Sequence, residues 1–194
     1  MDILIFGVAL SAYYTLHSFL ASQNIKSVLR NLLVISNRGY RLFFNLIAVF
    51  STLGMIMLFN ELRPSVIQEE IKSFPMSGCA FVAIGLVLII WSMRYYDILE
   101  FSGFRDLQHS NKLNTFGPNR FIRHPLYLGI LLVMVGWNLI VINGLAATTL
   151  IITLVYVFIG IHLEEKKLIN QFGESYETYR KTVPKLWPKW QLRN

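Results

Sequence analysis

Two short stretches hold groups that could do chemistry together. The first, NRFIRHPLYLG (119–129), sets Arg120, Arg123 and His124 immediately before an apolar run. The second is the acidic pair Glu164 and Glu165, at the far end of the same run. Pro125 suits the first turn of a helix, where its missing N–H is no loss. The helix entrance would then offer free N–H groups and the positive end of the dipole to an anionic group, with Arg123 and His124 adding donors of the same sign. Glu164 and Glu165 would instead favour a cation or hydroxyl donors. A site offering both signs matches a zwitterion, with a carboxylate and an ammonium, better than a simple anion. His17 is a third candidate, because an ionisable group in an apolar stretch is either functional or hydrogen-bonded to a neighbouring helix. His162, one turn inside Glu165, competes for a role. No HExxH or paired-cysteine pattern accompanies these histidines, so no metal centre is expected.

The elements that would position these groups are membrane spans. Of 194 residues, 54% are hydrophobic and 15% charged, with a mean hydropathy of +0.49, outside the ordinary soluble range. Uncharged windows run from Ile3 to the edge of Lys26, from Leu42 to Asn60, from Ser73 to Met93, and from His124 to Leu163. About 20 apolar residues cross the hydrocarbon, so the last window holds two passes and the count is five. The expected fold is all-α, a polytopic membrane helical bundle forming a single domain over 1–194. The first window lacks a basic n-region and is too long for a signal peptide, so it reads as a retained span. The lone Cys79 permits no intrachain disulfide and reads as a small packing residue.

The net charge of +7 reflects topology rather than nucleic-acid binding. Four basic residues follow the first span, five follow the third and seven lie in the tail, against only Arg63 and Lys72 on the other side. The positive-inside rule then puts the N-terminus outside and the long loops and tail in the cytoplasm. NIKSVLRNLLVISNRGYR reads as a short interfacial helix ended by Gly39, and 94–123 as a loop. Leu168, Phe172, Tyr176, Tyr179 and Val183 recur at helical spacing and predict an amphipathic cytoplasmic tail helix, stopped by Pro184 and Pro188. Trp187 and Trp190 follow as interfacial anchors.

Asn143 and Gly144 form a turn dipeptide with apolar residues on both sides, so the fourth and fifth spans are antiparallel neighbours. Both rise at the same rate, and residues whose numbers add to 288 share a depth. His124 and Glu164 satisfy that sum. The two stretches should meet at the cytoplasmic mouth of one hairpin.

GPNRFIRHPLYLG followed by EEKKLINQFGESYETYRKTVPKLWP resembles the C-terminal half of the integral membrane methyltransferases typified by isoprenylcysteine carboxyl methyltransferase; phospholipid amine methyltransferases share parts of it. LHSFLAS, GYRLFFN and FSGFRDLQ resemble the branch of methanethiol S-methyltransferases and NnrU-like proteins. The likeness implies S-adenosylmethionine as cofactor, with site motifs within 104–188. It carries cofactor contacts onto Asn111, Lys112, Leu113 and Asn114, onto His124, Pro125, Leu126 and Tyr127, and onto Glu164, with Glu165 beside it. Two positions depart from the pattern. Asn119 replaces an aromatic, and Gly160 replaces the arginine that the prenylcysteine enzymes place one turn before the glutamate.

The implied activity is methyl transfer to a small or lipophilic acceptor entering partly from the membrane, with a thiol first. Arg123 or His17, by their depth, would lower the pKa of that thiol and are the catalytic candidates. The alternatives are carboxyl methylation of an isoprenylcysteine, phospholipid amine methylation, a non-catalytic accessory protein, or an NADPH enzyme like the sterol reductases, whose chains have more spans. Membrane lipids are expected partners, and nucleic acid is not.

Overall fold

The structure, a computed structural model, describes residues 1–66, 74–96 and 113–187. Every regular element among them is helical: α1 (Asp2–Ala21), α2 (Gln23–Leu33), α3 (Asn37–Val66), α4 (Pro75–Met93), a 3-10 turn (Gly117–Arg120), α5 (Pro125–Ile140), α6 (Gly144–Phe172) and α7 (Glu174–Thr182). Four of them, α1, α3, α4 and α6, are long and apolar enough to cross a membrane. The chain is an all-α polytopic membrane protein. The expected fourth span is α5, whose 16 residues reach only about 24 Å at 1.5 Å per residue. It is short because His124 and Pro125 fix its start, and the chain leaves helical geometry at Val141 to make the turn before Gly144.

The described residues fall into two compact units. The first takes 1–66 and 142–152. Phe6, Leu10 and Leu145 form its core, flanked by Tyr13, Tyr14, Met55, Leu58, Phe59, Leu62 and Ile152. Phe6 meets Phe59 edge-on with centroids 5.7 Å apart, and Tyr40 Oη donates to the Leu20 carbonyl at 2.7 Å. Ser22 caps α2 by accepting from the Ile25 N–H. That helix ends at Val34 (φ 53°), with the Val34 and Ile35 N–H groups both donating to the Arg30 carbonyl, and not at Gly39. Gly39 lies in the first turn of α3. A bifurcated left-handed cap closes the helix without glycine, which a reading keyed on glycine overlooks.

The second unit takes 74–96, 113–141 and 153–187. Ile122, Leu128, Leu131, Val157, Ile161 and Leu186 make its core. Here α4 and α5 pack backbone to backbone. An added Cβ would stand 2.7 Å from the Gly136 carbonyl at Gly78, and 2.7 Å from the Gly129 carbonyl at Gly85. Glycines recurring every seven residues on both helices admit this approach, as small residues do in membrane helix pairs. Cys79 is exposed beside this seam, so it is not a packing residue between helices.

The expected tail helix divides in two. Helix α6 continues past Glu164 to Phe172, and Gly173 breaks it at φ 53°, ψ −126°, a conformation open almost only to glycine. The acidic pair therefore sits on the flank of a continuing helix, not at its dipole end. Val183 ends α7 just before Pro184, as expected, while Pro188 and Trp190 lie outside the described residues. Gly173→Ala is expected to cost about 1–3 kcal/mol through backbone strain, although open space surrounds the site. A melting temperature in detergent equal to that of the parent would count against this conformation.

Candidate functional site

The local sequence dictates how the mouth is framed. Pro125 is the first residue of α5, and His124 occupies the N-cap without its side chain capping the helix. The first-turn N–H groups have no intrahelical acceptor by geometry. Residues 123 and 124 pair with the chain that follows α7: Arg123 N–H donates to the Pro184 carbonyl at 2.9 Å, and His124 N–H to the Lys185 carbonyl at 3.1 Å.

Across the hairpin, His124 Nδ1 stands 3.6 Å from Glu164 Oε2, and His124 Nε2 lies 3.3 Å from Glu165 Oε1. Equal rise along two antiparallel helices brought together residues 40 positions apart. The two carboxylates have different surroundings. Glu165 is buried and is held by Arg123 Nη2 at 2.9 Å and Lys185 Nζ at 3.3 Å in addition to His124. Glu164 is partly exposed, yet its Oε2 atom is shielded and accepts no hydrogen bond. The hydroxyls of Tyr127, on α5, and of Tyr96, in the chain just past α4, lie within the field of the Glu164 carboxylate.

Arg123 is almost fully buried. Besides Glu165, its Nη1 donates to the Arg180 carbonyl at 3.2 Å. Asn119, also buried, donates through Nδ2 to the Arg123 carbonyl at 3.3 Å, and its own carbonyl accepts from Tyr179 Oη at 2.6 Å. Burial pushes the Tyr179 phenol up to about 12, so it keeps its proton and donates at any working pH. Burial, with the Glu165 charge next, raises Tyr176 as well. Arg120 is exposed, as is His162.

Of the loop candidates, Asn111 and Lys112 lie outside the described residues. Leu113 is half-buried. Asn114 Nδ2 donates to the Tyr95 carbonyl at 3.1 Å while Oδ1 accepts from Phe116 N–H, an Asx turn that leads into the 3-10 turn. Gly117 (φ 60°) lies against the Tyr95 ring, where any Cβ would collide. His17 belongs to the first unit, where its ring sits 4.8 Å from Phe44 and 6.4 Å from Tyr13. Four participants escape a reading of spacing alone: Tyr179, Arg180, Pro184 and Lys185. Helical periodicity singles out Tyr179, but nothing local shows that the chain folds back to bring it here.

The chain matches the phospholipid methyltransferase family over residues 74–175. It is 29% identical over 151 residues to methanethiol S-methyltransferase 1 of Bradyrhizobium diazoefficiens, covering 72% of this chain and 52% of that one. It is 28% identical over 153 residues to a methanethiol S-methyltransferase of Crocosphaera subtropica, covering 72% and 58%. A shorter stretch of 74 residues is 36% identical to the protein-S-isoprenylcysteine O-methyltransferase of Schizosaccharomyces pombe, covering 37% and 31%. The chain thus spans 52% and 58% of the lengths of the first two relatives. No solved structure matches it. With a hairpin mouth that joins its two motifs and a family match extending over just over half its residues, the chain belongs to the phospholipid methyltransferase family.

Proposed function

We propose that this chain is an S-adenosylmethionine-dependent membrane methyltransferase acting on a small or lipophilic thiol at the cytoplasmic mouth of the α5–α6 hairpin, in a membrane crossed five times with α5 as the short pass. The observation carrying this reading is the shielded Glu164 oxygen without a donor, beside the uncapped start of α5. A carboxylate needing a cation next to N–H groups needing an anion fits the amino-acid end of that cofactor. Its bound form supplies an electrophilic methyl group on a sulfonium.

The residues divide the work. The Leu126 and Tyr127 N–H groups would hold the carboxylate and Glu164 the ammonium, with His124, set between the two glutamates, positioning Glu164, and Leu113 and Asn114 shaping the preceding loop. Asn111 and Lys112 remain part of the proposed contact set. Glu165 is already paired with the Arg123 and Lys185 cations and with the His124 ring, and does not compete for the ammonium. Arg123 is committed to Glu165 and the Arg180 carbonyl, so it acts as a positioning residue rather than on the acceptor directly. The acceptor must arrive as thiolate, the reactive form of a thiol. His17 is the proposed group that draws off this proton. A thiol acceptor suits position 160, where glycine leaves the space beside the Tyr127 hydroxyl open and supplies no cation for an acceptor carboxylate. It also suits the relatives named for methanethiol S-methylation.

Glu164→Gln is expected to weaken S-adenosylhomocysteine binding by roughly 30-fold or more, the cost of removing one member of a desolvated charge pair, with the melting temperature unchanged. Calorimetric titration of the detergent-purified chain reads both. Unaltered affinity would defeat the cofactor assignment, and saturable NADPH binding would favour a reductase. His17→Ala is expected to lower labelled methyl transfer to thiols by about 100-fold near neutrality, with recovery at higher pH, where the thiol ionises unaided. An unchanged pH profile would remove His17 from the mechanism.

A further inference from the structure

The first unit contains a cavity of about 190 Å³, lined by Leu20, Ala21, Lys26, Tyr40, Arg41, Phe44 and Asn45. None of its lining residues has a part in the reaction proposed above, although Phe44 also packs against His17. We propose that it binds the headgroup phosphate of an anionic phospholipid, with the start of an acyl chain along its apolar wall, as a resident lipid and not as a methyl acceptor.

The lining is split by chemistry. Lys26 and Arg41 bring two cationic groups and Asn45 an amide, while Leu20, Ala21 and Phe44 bring hydrocarbon. Lys26, Arg41 and Asn45 are all half-buried, so the polar groups border a recess rather than a flat surface. A free inorganic anion would use only the first set. An amphiphile with an anionic head uses both.

Depth favours the same occupant. Leu20 and Ala21 end α1, a 20-residue span, and so lie where hydrocarbon gives way to headgroups. Next along the chain, α2 exposes Val28, Leu32, Leu33 and Val34, at 60%, 74%, 46% and 90%. Lys26 and Arg30 are half-buried on the same short helix. An exposed apolar edge beside basic groups is the pattern of a helix lying in the membrane surface. Arg41 and Asn45 are one turn apart near the start of α3, 30 residues long and longer than the hydrocarbon requires. The cavity floor is kept in shape by the Tyr40 hydroxyl donating to the Leu20 carbonyl, which ties α3 to the end of α1. Around such a recess, the anionic leaflet offers phosphodiesters in great excess over any soluble anion.

The test uses the full chain in mild detergent, titrated separately with phosphatidylglycerol, phosphatidylcholine and inorganic phosphate, with one-to-one adducts counted by native mass spectrometry. Phosphatidylglycerol is expected to bind at one site. Lys26→Ala with Arg41→Ala should weaken it roughly 30-fold, the combined share of two basic residues at an anionic surface. Ala21→Trp retains every charge and the exposed backbone position but fills the recess, and should displace the lipid equally. S-adenosylhomocysteine binding is expected to persist in all three forms, so failure here is separable from failure of the enzymatic reading. Equal retention of phosphatidylcholine, saturable binding of inorganic phosphate without lipid, or an adduct undiminished by Ala21→Trp would each overturn the proposal.

Discussion

Glu165→Ala is expected to destabilise the folded chain by about 3–5 kcal/mol, the cost of stranding a buried charge by deleting its partner. The substitution leaves the Arg123 guanidinium 7% exposed without its carboxylate, with Lys185 and His124 beside it. Arg123→Ala should cost a similar amount by stranding Glu165. The double variant should lose much less than the two singles together, because neither charge then remains to be compensated. Thermal or denaturant unfolding in micelles gives all three values. Additive losses would mean that the two side chains do not interact. The adjacent Glu164→Ala should alter stability by less than about 1 kcal/mol, since its side chain is 41% exposed and meets neither Arg123 nor Lys185 in an ion pair. Neighbours of identical chemistry would thus part, Glu165 serving the fold and Glu164 the proposed ligand.

Gly85→Leu should be at least as damaging, at roughly 3 kcal/mol or more, because the added atoms meet backbone rather than a mobile side chain. A Cβ at this position would stand 2.7 Å from the Gly129 carbonyl, 2.8 Å from Val133 Cγ2 and 2.9 Å from the Val133 nitrogen. Relief requires α4 and α5 to separate along their length. That movement would also disturb the site, since α5 begins at His124 and the chain just past α4 holds the Asn114 turn through the Tyr95 carbonyl. Loss of S-adenosylhomocysteine binding should therefore accompany the loss of stability. Gly54→Leu is the control: nothing lies within 4 Å of its added Cβ, and its effect should stay within about 0.5 kcal/mol. Comparable melting temperatures for the two variants would refute the close seam.

The meeting of His124 with Glu164 was legible in the sequence because a tight turn and a fixed rise per residue leave no other register. The same arithmetic could not rank Glu164 against Glu165. Adjacent helical positions point about 100° apart, and which of them is buried depends on Arg123 and Lys185 arriving from elsewhere. The seven-residue spacing of Gly78 and Gly85, and of Gly129 and Gly136, was visible but has meaning only once the two helices are known to be partners. The count of five spans followed from hydropathy, which measures apolar length and does not register that Pro125 and the turn before Gly144 trim α5 to 16 residues. Periodicity found the tail helix but passed through Gly173, because only the dihedral there redirects the chain.

The pairing of residues 123 and 124 with 184 and 185 also orders events at the ribosome. Every described membrane helix leaves the exit tunnel before Pro184 and Lys185 do. A nascent chain must therefore enter the bilayer with Arg123 and His124 still lacking those two acceptors, and the entrance closes only after insertion is complete. A released chain truncated after Thr182 would keep every described membrane helix yet stay unlatched, and is expected to be open to proteolysis at this entrance.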